Sequence, residues 1–164
     1  MANYYTEASF IIPLTEEQVK FAFDVADCIQ DERIDFNAKR KNTAAKSVKT
    51  DVYEIAKKAI LSFEDYEPGC ASLEFNMEPQ PEGLWIYHDE SINTNNAANF
   101  THLLLKHFDL DVCVGIEASE TCSKARLDSF GGHAAFVTKK GIKWMSTSEW
   151  IHKQIDAFNK RLAA

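Results

Sequence analysis

A chain of 164 residues, 45% hydrophobic and 26% charged, has the length and make-up of one globular domain that builds its own core. No run approaches the ~18 apolar residues of a membrane span, and the opening MANYYTEASFIIPL lacks the basic start of a secretory signal, so a cytoplasmic protein without a membrane partner is expected. The net charge of −7 argues against direct nucleic-acid binding, although two basic segments, 31–50 and 121–164, leave that reading open.

The first element is a short apolar strand, SFIIPL (9–14). Thr15 followed by Gln18 is a capping-box signature. The helix it opens, EEQVKFAFDVADCIQ, places Val19, Ala22, Phe23, Ala26 and Ile29 on one face, with two glutamates suiting the positive end of its dipole. Residues 31–50 then lose periodicity and gather Lys39, Arg40, Lys41, Lys46 and Lys49, which reads as a long basic loop. A second helix follows in DVYEIAKKAILSF, where Val52, Ile55, Ala56, Ala59, Ile60 and Phe63 keep the helical spacing.

The period changes to two in ASLEFNMEP, where Leu73, Phe75 and Met77 alternate with polar residues as in a half-buried strand. PQPEG turns the chain and LWIYH returns as the hairpin partner. Asn93 or Thr94 caps a helix with Ala97, Phe100, Leu103, Leu104 and Phe108 on its apolar face. Val112, Val114, Ile116 and Ala118 mark another strand. HAAFVT and IKWMS, joined by KKG, form a second hairpin. Ser146 and Glu149 offer a capping box for a closing helix with Ile151, Ile155, Phe158 and Leu162 on one stripe.

The order β-α-α-β-β-α-β-β-β-α predicts a single α+β domain, with a mainly antiparallel sheet and helices packed on one face. Its inner part reads as a ferredoxin-like core, extended by the C-terminal hairpin and helix. Trp85, Ile116, Phe136 and Trp144 are expected to share one core with Ile55, Leu104 and Ile155. The four cysteines, Cys28, Cys70, Cys113 and Cys122, have no zinc-site spacing and read as free thiols, with Cys28 and Cys113 in or near the core. No metal and no cofactor is expected.

Charge is unevenly spread. Residues 64–120 carry twelve acids and one base. One reading is a solvated acidic face. The other is a surface for a partner with a basic face, to which Glu74, Glu78, Glu82, Asp89 and Glu90 are assigned. A homodimer is left open.

Dinucleotide, Walker, zinc-protease and nucleophile-elbow motifs are absent. The main candidate for chemistry is TCSKARLDSFGGH. Lys124 and Arg126 are two apart, Gly131 and Gly132 can take positive φ and form an anion nest, and Cys122 beside cations can become nucleophilic. His133 closes the segment. The alternative is a tight turn feeding a strand, with Arg126 paired to Asp128 or to the acidic block. A third reading joins the 120–133 loop to the strand end at 86–90, where His88, Asp89 and Glu90 sit, as the site of a small enzyme.

GLWIYHDES, TCSKARLDSFGGHAAFVT and WMSTSEWI together resemble a small uncharacterised family of bacterial and phage-associated proteins. Its marks are a C-S-K-x-R-x-x-x-F-G-G motif and a W-x-x-T-x-x-W ending. The matching residues are Cys122, Ser123, Lys124, Arg126, Phe130, Gly131, Gly132, Trp144, Thr147 and Trp150, within 83–151, with a weaker match at SFIIPLTEEQ. His133 stands where a third small residue is expected. The resemblance implies a phage or mobile-element context and supplies no activity. The expectation is therefore a non-catalytic acidic protein-binding module, a counter-defence inhibitor covering the basic nucleic-acid-binding surface of a host protein. The small enzyme is the alternative, and a structural or assembly factor with no ligand is a third.

Overall fold

The first strand of the chain does not continue into the second in one sheet. A computed structural model describes residues 2–30, 50–63, 72–124, 126 and 129–162. In it β1 (Tyr4–Ala8) and β2 (Phe10–Ile12) are separated by Ser9 alone and belong to different sheets. α1 (Glu16–Gln30) and α2 (Thr50–Leu61) follow, then β3 (Asn76–Gln80), β4 (Gly83–Tyr87), α3 (Thr94–His107), β5 (Cys113–Cys122), β6 (Gly131–Thr138), β7 (Gly141–Ser146) and α4 (Thr147–Leu162). One sheet has the order β1-β5-β6-β7 and the other β2-β4-β3, with every pairing antiparallel.

The fold is thus α+β. Its strands divide between two sheets, so the single ferredoxin-like sheet does not form. The long basic loop proposed at 31–50 lies, up to residue 49, outside the described residues, and so do Cys70 and Asp128.

The helices form for the reasons their spacing gives. Thr15 Oγ1 accepts from the Gln18 N–H at 3.4 Å, and Gln18 Oε1 accepts from the Thr15 N–H at 2.9 Å, closing the capping box of α1. That helix buries Val19, Phe21, Ala22, Val25, Ala26, Cys28 and Ile29. Asn93 caps α3 by accepting from the Asn96 N–H at 3.0 Å. Phe100, Leu104 and Leu105 of α3 join Val52, Ala56 and Ile60 of α2, Leu84 and Ile86 of β4 and Ile116 of β5 in one core.

Several expected core residues are not in it. Phe136 is 48% exposed, because β5 pairs Val114 and Ile116 with Val137 and Ala135, which turns Phe136 to the opposite face. Trp144 shares a face with Ala135, but it sits on edge strand β7, where its ring leans on His133 and stays 44% exposed. Cys113 is exposed because the inward parity of β5 belongs to Val114, Ile116 and Ala118. Ile155 is 50% exposed, and α4 as a whole buries no residue. Cys28, Ile55, Leu104 and Ile116 are buried as expected.

Close backbone approach holds the smaller sheet together. Gly83 has φ +141°, and a Cβ there would lie 2.1 Å from the Ile12 carbonyl oxygen and 2.8 Å from the Leu14 nitrogen. Replacing it by alanine combines left-handed strain with overlap against main chain that no rotamer relieves. Gly83→Ala should therefore cost at least about 3 kcal/mol, read as a fall in the urea midpoint, whereas Gly141→Ala, with φ +153° but nothing within 4 Å, should cost less.

Candidate functional site

Where the chain changes sheets, the two sheets leave a groove of about 760 Å³ lined by Glu7, Ala8, Ser9, Trp85, Tyr87, His88, Asp89, Glu117, Ala118 and Ser119. Its elements follow from strand parity. Glu7 pairs with Ser119 in register, and Glu117 lies two residues further along β5, so all three share the solvent face of the larger sheet. Trp85 and Tyr87 lie two apart on β4 and share the outer face of the smaller sheet, opposite Glu78 and Asn76 of β3. Their rings stack at 4.1 Å and 20°.

Hydrogen bonds fix this aromatic pair. The Trp85 Nε1–H donates to Ser9 Oγ at 2.7 Å, at the sheet crossover itself. The Tyr87 hydroxyl donates to Glu78 Oε1 at 2.5 Å. That bond to a carboxylate, with partial burial and the charges of Glu78 and Asp89, raises the Tyr87 phenol above its ordinary pKa. His88 Nδ1 accepts the N–H groups of Glu90 and Ser91, at 3.0 and 3.1 Å. His88 is thus the hub of a turn. Three carboxylates, Glu7, Asp89 and Glu117, beside two stacked rings have the charge and shape that suit a cation with a flat, apolar side, such as the guanidinium of arginine or the stem and ammonium of lysine.

The acidic block divides into groups with different roles. Asp89 lines the groove, and Glu78 lies beside it, bonded to Tyr87. Glu82 and Glu90 are exposed, in the β3–β4 turn and after β4. Glu74 has φ 56°, and its carboxylate accepts from Asn93 Nδ2 at 2.6 Å while its carbonyl accepts the Asn93 N–H at 3.1 Å. It anchors the start of α3. Asp109 and Asp111 both hold Lys139, at 2.8 and 2.7 Å, which draws the Asp111 pKa down and the Lys139 pKa up.

The segment singled out for chemistry is mostly strand. β5 runs through Cys122 and β6 begins at Gly131, so only 123–130 connect them. Gly131 and Gly132 pair with Glu120 and Ser119 in regular register, and among the described glycines positive φ is confined to Gly83 and Gly141. The anion nest is therefore not formed by this pair. At Gly132 glycine is required for space, since a Cβ would lie 2.9 Å from the Ala118 carbonyl oxygen, whereas one at Gly131 would meet only the movable end of the Glu120 side chain, 2.7 Å from Oε2. The Gly132 N–H and carbonyl both bond Thr147 Oγ1, at 3.1 and 3.0 Å, which ties the start of α4 to β6. Lys124 and Arg126 are exposed, and Cys122 is half-buried opposite Tyr4.

His133 joins two partners. Its Nδ1 lies 2.9 Å from Glu120 Oε1 and its Nε2 2.7 Å from Thr94 Oγ1. A carboxylate only accepts, so Nδ1 carries a proton toward Glu120, while Nε2 and the threonine hydroxyl can each donate or accept in the second bond. The connectivity is that of a nucleophile, base and carboxylate relay. Thr94, however, is 7% exposed in the first turn of α3 and lines none of the three described cavities. The chain braces α3 against the larger sheet. The two halves of the enzyme reading are also apart: His88 and Asp89 line the groove, whereas Glu120, Thr121, Ser129 and Phe130 line a different cleft.

Glu7, Trp85, Tyr87 and Glu117 are the site residues that sequence reasoning missed. Aromatic residues at alternate positions on a wet strand face were a usable signal for two of them. No local signal marks Glu7 and Glu117, which are brought together by a strand pairing more than a hundred residues apart in sequence. Among the described residues no group of His, Cys, Asp and Glu is arranged to hold a metal ion, and no helix is long and apolar enough to cross a membrane. No family model matches the chain, and no curated protein or solved structure is similar enough to it to identify a relative.

Two measurements test this geometry. Tyr87 should titrate above a free tyrosine, read as the 295 nm difference between the parent chain and Tyr87→Phe, and Glu78→Gln should lower its midpoint. Because the folded-state pKa is raised, the contribution of this bond to stability is complete below the unfolded tyrosine pKa and is lost as pH rises through the folded one. Separately, His133→Ala leaves the buried Thr94 hydroxyl without its partner and should cost about 1–3 kcal/mol, with Thr94→Val in the same background recovering part of that loss.

Proposed function

We propose that the protein is a non-catalytic binding module that takes a basic protein segment, seating an arginine or lysine side chain in the groove at the sheet junction. The observation that carries this reading is the stacked Trp85–Tyr87 pair set among Glu7, Asp89 and Glu117. A cation over an indole face gains about 0.5–2 kcal/mol depending on desolvation, and flanking carboxylates add charge-assisted bonds. Glu78, Glu82 and Glu90 extend the acidic surface around the groove and favour encounter with a positively charged partner.

The partner we infer is a host protein with a basic, nucleic-acid-binding face. The context we infer, from the resemblance of the Cys122–Gly132 and Trp144–Trp150 motifs, is phage or mobile-element counter-defence. A module that presents carboxylates where the host surface expects phosphates inhibits by occupancy and requires no cofactor. In the groove His88 Nδ1 is taken up by the N–H groups of Glu90 and Ser91 and Ser9 Oγ by the Trp85 indole, which favours this reading over the enzyme alternative.

An arginine-rich peptide serves as the probe, titrated into the Trp144→Phe, Trp150→Phe chain so that Trp85 is the sole indole. Its fluorescence should change saturably, with an affinity that falls as salt screens exposed charges beyond ~8 Å. Glu117→Gln combined with Asp89→Asn should weaken binding roughly tenfold, or about 1.4 kcal/mol. An affinity unmoved by those changes and by salt would remove the proposal.

A further inference from the structure

We infer that α4 is the contact surface of a homodimer, and that the cleft it overhangs is filled by the same helix of a second copy. All 16 residues of α4 are exposed, including Trp150 at 59%, Ile151 at 49%, Ile155 at 50%, Phe158 at 60% and Leu162 at 72%. Ile151, Ile155, Phe158 and Leu162 are spaced four, three and four apart, the seam spacing of paired helices. An isolated helix of this length is marginal in water, so the stripe needs a cover. Thr147, held by Gly132, fixes where α4 starts, and its first turns form one wall of a cleft of about 770 Å³. Ser148, Ile151 and Ile155 line that wall, and Tyr4 and Phe130, each 62% exposed, face it. Beyond the cleft Phe158 and Leu162 continue the same stripe.

Area and charge both point to a second copy as the occupant. Burying the exposed half of a large apolar side chain removes on the order of 100 Å². Tyr4, Phe130, Ile151, Ile155, Phe158 and Leu162 therefore offer roughly 600 Å² of apolar surface per copy, and with a polar rim this reaches the roughly 800 Å² each partner contributes to a standard interface. The polar face of α4 is balanced within itself: Glu149 lies 3.9 Å from Lys153, and Asp156 and Lys160 repeat the same spacing. The positions flanking the seam are His152, Gln154, Asn159 and Arg161. A helix built for a basic partner would carry an acidic rim, and one built for an anionic membrane would carry a lysine-rich polar face. A rim whose only fixed charge is Arg161 brings little repulsion when two copies meet, in a chain whose net charge of −7 otherwise keeps copies apart.

Sedimentation equilibrium of the full chain over a dilution series tests this. The expected result is a dimer that dissociates on dilution, and a monomer at every concentration for Ile155→Glu with an unchanged circular dichroism spectrum, since Ile155 lies outside the buried core of the single chain. Flotation with phosphatidylglycerol vesicles is the second arm, and the chain should stay in the soluble fraction. A parent chain that remains a monomer throughout, a dimer that survives Ile155→Glu, or a monomer that floats with vesicles would each overturn the inference. Glu117→Gln with Asp89→Asn should leave the dimer intact, which separates its failure from that of the groove.

Discussion

One residue, Ser9, lets a single stretch of chain serve two sheets. β1 must stay on β5 to close the edge of the larger sheet, while β2 must lie on β4 to lead into α1. The Trp85 indole bonded to Ser9 pins the point where the direction changes. At the start of β4, Gly83 lets the main chain approach Ile12 more closely than a Cβ permits. The connection from β4 to α3 then runs along the free side of β1, where Thr6 accepts the Ile92 N–H at 2.9 Å and donates its own to Ser91 Oγ at 3.0 Å. An open strand edge is covered in this way. The start of α3 is placed by the same contacts, and with it the Thr94–His133–Glu120 brace. The groove is a by-product of the crossover: outward residues of two diverging sheets end up facing one another.

What the sequence disclosed follows from how local each feature is. Three helices and the second hairpin are written in spacing and caps, and they form within a residue or two of where those signals put them. The leading strand of the first hairpin, by contrast, starts only at Asn76, because Glu74 at φ 56° breaks the alternation of Leu73, Phe75 and Met77. β1 escaped because YYTEA has no apolar alternation and its partner is the far end of β5. In HAAFVT both parities are apolar, so the strand was legible but its inward face was not; pairing with Val114 and Ile116 made Ala135 and Val137 the buried pair and left Phe136 outside. The Gly131–Gly132 pair shows the same limit. A glycine is compatible with positive φ and with close approach, and only the position of the Ala118 carbonyl decides for the second.

Charge was legible as a sum and illegible as an arrangement. The acids of 64–120 read as one block, yet Glu74, Asp109, Asp111 and Glu120 each engage a partner within the chain. Those that remain at the groove matter because aromatic rings lie beside them. Without Trp85 and Tyr87, exposed carboxylates would be a weak, solvated feature, since surface ion pairs contribute only about 0–1 kcal/mol.

The periodicity of α4 carries the converse lesson. A stripe of Ile151, Ile155, Phe158 and Leu162 states that something apolar covers it, and the first inference from sequence is the chain's own core. That core is already complete: α3 occupies the inner face of the larger sheet, and Ile116 and Leu104 are fully buried without help from α4. With Thr147 tethered to β6, α4 has little freedom to reach another part of the body. The apolar demand written in its sequence is thus left for a second molecule to meet, while the acidic groove at the sheet junction answers to a different chemistry. Electrostatic attraction at the groove is screened by salt and burial of the α4 stripe is strengthened by excluded salts such as sulfate. Under the two proposals, ionic conditions therefore act on the two surfaces in opposite directions.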